Sequence, residues 1–258
     1  QTTIELAGSQ SYSEGGAITQ WAWDVQQPKG SKEPFMPSNS SPDVTIQANT
    51  SGHYIFFLTV WDETGAKSCF PAVKNVMVIP DEALHIELLW DTPGAANPDD
   101  PDAGADLDLH LLNPEAEGFD LDGDGSGDGW FDAKWDCFSA NTHPNWGLLD
   151  PAAGDDPGLD LEDHNGVGPE IVNLGLPQDL VYKVGGHYRN SSGLGSSSVT
   201  ARVFVYAQLV WDAPETTLLD KDLWEICTID WNSGKVKSIK TDDGEPRIYP
   251  ACDDSLFF

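Results

Sequence analysis

The chain has 258 residues, of which 43 are acidic and 13 basic, and its formal net charge is −30. This length corresponds to about two domains of ordinary size. With 39% hydrophobic residues and ten tryptophans, the chain is too apolar to be a disordered acidic tail. Such a polyanion disfavours nucleic acid and anionic membrane surfaces as partners and favours cations. No apolar run approaches the ~18 residues that span a bilayer, so we expect no membrane insertion.

The negative charge is concentrated in the middle of the chain. Residues 81–170 contain 24 acidic residues and one basic residue, whereas residues 1–80 and 171–258 are nearly balanced. The alternative, a salt-adapted acidic surface, would extend over every segment. The uneven distribution therefore favours a local cation site.

Short stretches rich in β-branched and aromatic residues, separated by Gly, Pro, Asn and Asp, predict an all-β protein. The predicted strands are residues 3–7, 17–25, 43–47, 53–62, 73–79, 84–91, 106–112, 169–174, 180–188, 198–210, 222–231 and 236–240. Residues 231–234 predict a hairpin turn with a positive φ at Gly234. Residues 93–105 and most of 113–168 are predicted loops, and a loop as long as the second needs something to order it. A junction at residues 80–82 separates a domain at residues 1–80 from one at residues 81–258.

The first domain carries its aromatic and turn residues in a recognisable order. Residues 21–24 (Trp-Ala-Trp-Asp) are followed by residues 52–54 (Gly-His-Tyr) and by an apolar run at 56–60. This order resembles the PKD family, which implies an immunoglobulin-like β-sandwich that acts as a spacer or weak binding module. The resemblance implies that Trp23 lies in the core, that Tyr54 forms a tyrosine corner, and that no residue here is catalytic.

The sharpest motif of the chain is an Asp-Gly loop at residues 120–132. Its acids have the spacing of a calcium loop, with Gly125 at the position of the sharp turn. Phe131 stands where an EF-hand has glutamate, and strands rather than helices are predicted nearby, so we interpret the motif as an EF-like calcium loop in a β-context. A solvated Asp-Gly linker is the alternative. The predicted calcium ligands are Asp120, Asp122, Asp124, the Ser126 carbonyl, Asp128 and Asp132.

A second acidic group surrounds this loop. Asp106, Asp108 and His110 lie on one face of a predicted strand, and acidic residues on such a face usually need a partner. We expect His110 to orient a ligand by hydrogen bonding. Flexible oxygen ligands suit calcium, and the scarcity of His and thiolate disfavours a transition metal. Ordinary strand-end and turn acids are the alternative to a metal site. The predicted ligands of this second calcium site are Asp106, Asp108, Asp160, Asp163 and Glu170.

Four short strings of the second domain carry a resemblance to a known family. They are residues 106–110 (DLDLH), 136–138 (DCF), 144–147 (PNWG) and 168–170 (GPE). Over residues 82–250 the chain resembles an uncharacterised domain of secreted or lipoprotein-type bacterial proteins, notably of myxobacteria. The resemblance implies a β-sandwich and an extracytoplasmic setting, without an assigned activity. We expect a jelly-roll-like sandwich whose long acidic loops are ordered by calcium.

The four cysteines form an even set without a CxxC pair. This favours two disulfides and hence a location outside the cytosol, with buried free thiols as the alternative. Of the three pairings, Cys69 with Cys137 and Cys227 with Cys252 are preferred from chain order. Because the chain starts at Gln1 without a leader, we expect its targeting segment to lie outside this sequence.

The sequence contains none of the GxSxG, HExxH, P-loop or GxGxxG signatures, so we do not expect an enzyme. The predicted function is that of an extracellular calcium-binding structural or adhesion protein, at the cell surface or in a surface filament, with self-association as one outcome. The alternative is a calcium-dependent carbohydrate-binding module of a secreted polysaccharide-acting system. In that alternative Trp130, Trp135 and Trp146 stack on sugars, whereas the competing explanation for these rings is a miniature core that keeps the loop compact.

Overall fold

The structure is a computed structural model that describes residues 2–94, 104–150, 153–164 and 168–256. Parts of both predicted loops, residues 95–103, 151–152 and 165–167, lie outside the described residues. The chain divides into two compact units, Gln1–Ile79 and Pro80–Phe258. Strands account for 48% of the chain and helices for 2%, which confirms the all-β prediction. In the described part of the chain, no helix combines the length and the apolar character needed to cross a membrane.

Seventeen strands are defined in the described ranges. They are β1 (Thr2–Ala7), β2 (Ile18–Gln26), β3 (Asp43–Ala48), β4 (Gly52–Asp62), β5 (Ala72–Val78), β6 (Leu84–Asp91), β7 (Asp106–Leu112), β8 (Asp136–Cys137), β9 (Gly158–Leu161), β10 (Glu170–Leu174), β11 (Val181–Asn190), β12 (Ser197–Val205), β13 (Gln208–Asp212), β14 (Thr216–Leu218), β15 (Leu223–Asp230), β16 (Lys235–Ser238) and β17 (Arg247–Tyr249).

The first unit is a small sandwich of a two-stranded sheet, β1-β3, and a three-stranded sheet, β2-β4-β5. Trp23 is 8% exposed, which confirms its predicted place in the core, and its indole N–H donates to the Ser41 carbonyl at 3.0 Å. The fully buried Tyr54 donates its hydroxyl to the Thr50 carbonyl at 3.1 Å. This bond is the predicted tyrosine corner, because it ties the ring to the backbone four residues upstream.

The second unit is a sandwich of two six-stranded sheets. The first has the order β13-β12-β6-β10-β9 with β14 on β12, and the second has the order β16-β15-β11-β7-β8 with β17 on β15. Alternate residues of β7 (Leu107, Leu109 and Leu111) belong to one buried cluster with alternate residues of β6. Because side chains alternate along a strand, the residues between those leucines, Asp108 and His110, face the other side of the sheet.

The differences from the predicted strands have local causes. The strand predicted at 198–210 is a hairpin of β12 and β13, whose turn has positive φ at Tyr206 and Ala207. The strands β8, β9, β14 and β17 were missed because two to four residues are too few for a periodic signal. The turn after Asp230 has the expected positive φ of 65° at Gly234.

The two predicted disulfides are wrong. Cys69, Cys137, Cys227 and Cys252 are free thiols, and no pair lies at disulfide distance. Cys137 and Cys227 are instead fully buried in the core of the second unit, so their thiols act as small apolar groups. Burial raises the pKa of Cys137 and Cys227 well above the usual value and that of Cys252 to about 11.

We therefore expect a thiol reagent to modify one cysteine per native chain at neutral pH and four in denaturant, because only Cys69 is exposed. Mass spectrometry of the labelled, non-reduced protein measures both numbers and locates the native label. Recovery of fewer than four free thiols in denaturant would restore the disulfide hypothesis.

Candidate functional site

The Asp-Gly loop brings three of its predicted ligands together. Carboxylate oxygens of Asp120, Asp122 and Asp124 all lie within 4.8 Å of one another, and the three side chains are exposed. Asp120 accepts the backbone N–H groups of Gly123 at 2.7 Å and Gly125 at 2.9 Å, which closes the loop on itself. Gly125 has a φ of 92°, as the predicted sharp turn requires.

The other predicted ligands of this loop have different partners. Asp128 accepts the backbone N–H of Leu121 at 2.8 Å and the Tyr249 hydroxyl at 3.3 Å. Asp132 accepts four backbone N–H groups, and these outweigh burial, so the pKa of Asp132 lies below its usual value. The Ser126 N–H donates to Asp124 at 2.8 Å. Asp128 and Asp132 thus anchor the base of the loop, and neither joins the three-carboxylate cluster. Their assignment as calcium ligands stays a prediction.

Aromatic side chains hold the rest of this loop on the outer face of the second sheet. They form one buried cluster with Leu223 and Cys252, and Ala116, Phe119 and Leu121 pack against its edge. The Trp130 indole N–H donates to the Glu225 carboxylate at 3.1 Å, so its polar atom is satisfied inside this core. We call this cluster the outer core. Its other buried members are Leu112, Trp130, Phe131, Phe138 and Tyr249.

Burial contradicts the proposed sugar-stacking role for two of the three tryptophans. Trp130 is 0% and Trp146 2% exposed, so neither offers a face to a sugar. Trp146 stacks on Tyr182 with ring centroids 6.1 Å apart. Trp135 is half-buried, with the Lys134 ammonium 4.1 Å from its ring centroid. The miniature-core explanation is therefore the one that the structure supports for Trp130 and Trp146.

The five acids of the second predicted calcium site form no single group of converging carboxylates in the described ranges, although Asp106, Asp108 and Glu170 are close enough to influence one another. Asp160 accepts the Asn173 amide at 2.6 Å on β9 at the sheet edge. Asp106 lies 3.6 Å from the Arg189 guanidinium. The buried Glu170 accepts the Leu109 N–H at 2.6 Å, and the Asp163 N–H donates to the same carboxylate at 3.4 Å. Asp106 and Asp108 share the Arg189 guanidinium, and burial together with the nearby Asp108 and Asp106 carboxylates raises the pKa of Glu170. Of the five acids, Asp108 alone belongs to a potential metal-binding group among the described residues, and the second calcium site stays a prediction.

That group consists of Asp108, His110 and His187, and all three side chains are buried. Asp108 and His187 are directly paired across β7 and β11, and His110 is paired with Gly185. One ligand atom from each residue lies within 4.8 Å of the other two. Asp108 Oδ2 and His187 Nδ1 are 4.0 Å apart. The second sheet therefore carries a compact buried polar group beneath the outer core.

The hydrogen bonds of this group are incomplete. Within the described chain, Asp108 Oδ1, His110 Nε2 and His187 Nδ1 are buried without a hydrogen-bond partner. An unsatisfied buried polar atom costs about 1–3 kcal/mol of stability. Burial, reinforced by the Asp106 carboxylate, raises the pKa of Asp108 to about 7, and burial lowers the pKa of His187 to about 4.

Sequence reasoning missed His187 and Asp136 as members of this site. The Asp136 carboxylate is hydrogen-bonded to His110 Nδ1 at 2.8 Å, and His187 Nε2 donates to the Cys252 carbonyl at 2.8 Å. The alternation of side chains along β11 carried a signal. Tyr182, Val184 and Tyr188 belong to the core between the two sheets, and the odd-numbered His187 faces the other side. Asp136 lay in a predicted loop, where no periodic signal exists.

Comparison with known proteins identifies the first unit only. Residues 1–78 match the family model described as "K319L-like, PKD domain". This confirms the PKD resemblance of that unit, which belongs to a non-catalytic domain family. Neither the curated proteins nor the solved structures contain a match to the chain. The resemblance of residues 82–250 to myxobacterial proteins stays a prediction.

A methyl group at residue 185 tests whether the outer core holds the loop. A Cβ on Gly185 would lie 2.6 Å from the Trp130 ring, so Gly185→Ala should displace the indole and destabilise the second unit by about 1–3 kcal/mol. Urea unfolding monitored by tryptophan fluorescence measures the change.

Gly186→Ala is the matched control, because its methyl group would meet the flexible ends of Leu88 and Ile226, at 3.2 and 3.4 Å. Its effect should be smaller. Equal destabilisation by the two substitutions would contradict a close fit of Trp130 over Gly185.

Proposed function

We propose that this chain is a non-catalytic, calcium-binding structural module of an extracellular protein, of the kind found in surface adhesion. The observation that carries this proposal is the convergence of the Asp120, Asp122 and Asp124 carboxylates on one exposed loop. Three carboxylates at such distances repel one another unless a cation lies between them. Flexible oxygen ligands are those that calcium prefers over smaller or softer ions.

The setting of the loop supports calcium as a local brace. The outer core already holds both ends of the segment, and Asp128 and Asp132 close its base through backbone N–H groups. Leu121 packs at the edge of the outer core, whereas residues 122–126 are exposed, so the conformation of the tip depends largely on its own hydrogen bonds and on its charge. We propose that calcium stiffens this tip, which then presents a defined surface to a protein partner or to a second copy of the chain.

The first unit supports an extracellular role. PKD domains typically occur in extracellular proteins, and the family is non-catalytic. A small sandwich of this type suits a spacer module. The concentration of acidic residues in the second unit then makes that unit the one that binds cations.

Calorimetric titration of chelator-stripped protein with calcium tests the proposal. We expect saturable binding and a higher melting temperature, because binding to the folded state alone stabilises it. Asp122→Asn should weaken the affinity about tenfold or more, since it removes one ligand charge. Asp243→Asn, an exposed aspartate of another loop, is the control and should bind like the wild type.

Limited proteolysis with and without chelator locates the effect. Cleavage in chelator should begin at residues 120–126, while the segments that carry Trp130 and Phe138 stay protected by the outer core. Absence of calcium heat together with unchanged cleavage would reject calcium binding and leave the loop as a solvated linker.

A further inference from the structure

The buried group of Asp108, His110 and His187 offers two imidazoles and one carboxylate, whereas the Asp-Gly loop offers carboxylates alone. Strand pairing sets Asp108 opposite His187, and His110 lies two residues along the same face of β7. Gly185, the residue paired with His110, has no side chain and leaves room for the Trp130 ring that covers the group. The three ligand atoms are thus held by the backbone register of two neighbouring strands.

The outer hydrogen bonds of the two histidines decide which ring nitrogen faces the group. A carbonyl oxygen only accepts, so the 2.8 Å bond from His187 Nε2 to the Cys252 carbonyl places a proton on Nε2. In the neutral ring, His187 Nδ1 then has a free lone pair. His110 Nδ1 faces the Asp136 carboxylate at 2.8 Å, which leaves the lone pair of the neutral ring on Nε2.

One ligand atom from each of the two histidines and from Asp108 lies within 4.8 Å of the other two. His110 Nε2, His187 Nδ1 and Asp108 Oδ1 are the very atoms that have no hydrogen-bond partner among the described residues. Each of the three side chains is at most 1% exposed. A cation bound by these three residues would satisfy the imidazole lone pairs and the carboxylate at once.

We propose that Asp108, His110 and His187 bind one divalent transition metal ion of the zinc class, at a site separate from the calcium loop. Two imidazole nitrogens and one carboxylate oxygen are a ligand set for zinc and its neighbours, whereas calcium takes oxygen ligands. The carboxylate of Asp136 and the carbonyl of Cys252 orient the rings as the outer partners of metal-bound histidines do.

The spacing of the ligand atoms is compatible with this assignment. Ligands about 2.0–2.1 Å from a tetrahedral zinc ion lie about 3.3 Å from one another, whereas Asp108 Oδ2 and His187 Nδ1 are 4.0 Å apart. All three ligand atoms lie within 4.8 Å of one another, so the side chains would close by at most about 1.5 Å on binding. The ion would join β7 to β11 and, through Asp136 and Cys252, to the loop and the C-terminal segment.

Metal binding in saturating calcium tests this site independently of the calcium loop. The full chain is stripped with chelator, refolded with Zn²⁺ or Co²⁺ in the presence of calcium, and freed of excess metal. We expect one tightly bound transition metal ion per chain and a higher melting temperature than in the stripped protein.

Two isosteric substitutions on the same face of β7 distinguish a metal ligand from a neighbouring acid. Asp108→Asn should weaken zinc binding at least about tenfold. Asp106→Asn keeps all three ligands and alters a carboxylate that shares Arg189 with Asp108, so its effect should be much smaller. Asp122→Asn should lose calcium affinity and keep the zinc. Equal zinc affinity of Asp108→Asn and the wild type would overturn the assignment.

A measurement on the unsubstituted protein covers the case in which Asp108→Asn does not fold. In the Co²⁺ form we expect two strongly shifted, exchangeable proton resonances in the NMR spectrum, from His110 Nδ1–H and His187 Nε2–H. Both N–H groups are buried and hydrogen-bonded, so both should exchange slowly. A Co²⁺ spectrum without shifted imidazole N–H signals would overturn the site.

Discussion

Strand β7 is packed on both faces, and the second unit is organised around this constraint. Its leucines belong to the core between the two sheets, so the alternating Asp108 and His110 face the other way. That other face is covered by the outer core and not by water. Polar groups buried on a covered face need partners, and Asp136 is one that the covering segment brings with it.

The loop segment that contributes Trp130, Phe131 and Phe138 to the outer core is ordered by its apolar residues more than by its charge. Burial of a large apolar side chain contributes about 1.5–3 kcal/mol, and Trp130, Phe131 and Phe138 are all buried in the outer core. Mutual repulsion among Asp120, Asp122 and Asp124 is left at the exposed tip, where water screens it. A long acidic loop can therefore be compact at its base and dependent on a cation only at its end.

Burial also separates the two kinds of cation chemistry available to this unit. The exposed loop offers carboxylates alone, in a flexible Gly-rich segment that suits a large, hard ion. The buried group offers imidazoles held by strand register and by outer hydrogen bonds, which suits a smaller ion with a defined geometry. The −30 charge of the chain attracts both ions without distinguishing between them.

By itself, the sequence determined the all-β class, the PKD nature of residues 1–78 and most strand positions, because alternation and turn residues are local signals. Local spacing also identified the Asp120 loop, whose clustered acids lie within five residues of one another. Only the tertiary structure decided that the cysteines are unpaired, that Trp130 is buried, and that Asp160 and Glu170 have separate partners. It alone brought His187 to Asp108 across 79 positions of the chain, because strand register is set by the packing of whole sheets and leaves no mark in the spacing of two residues.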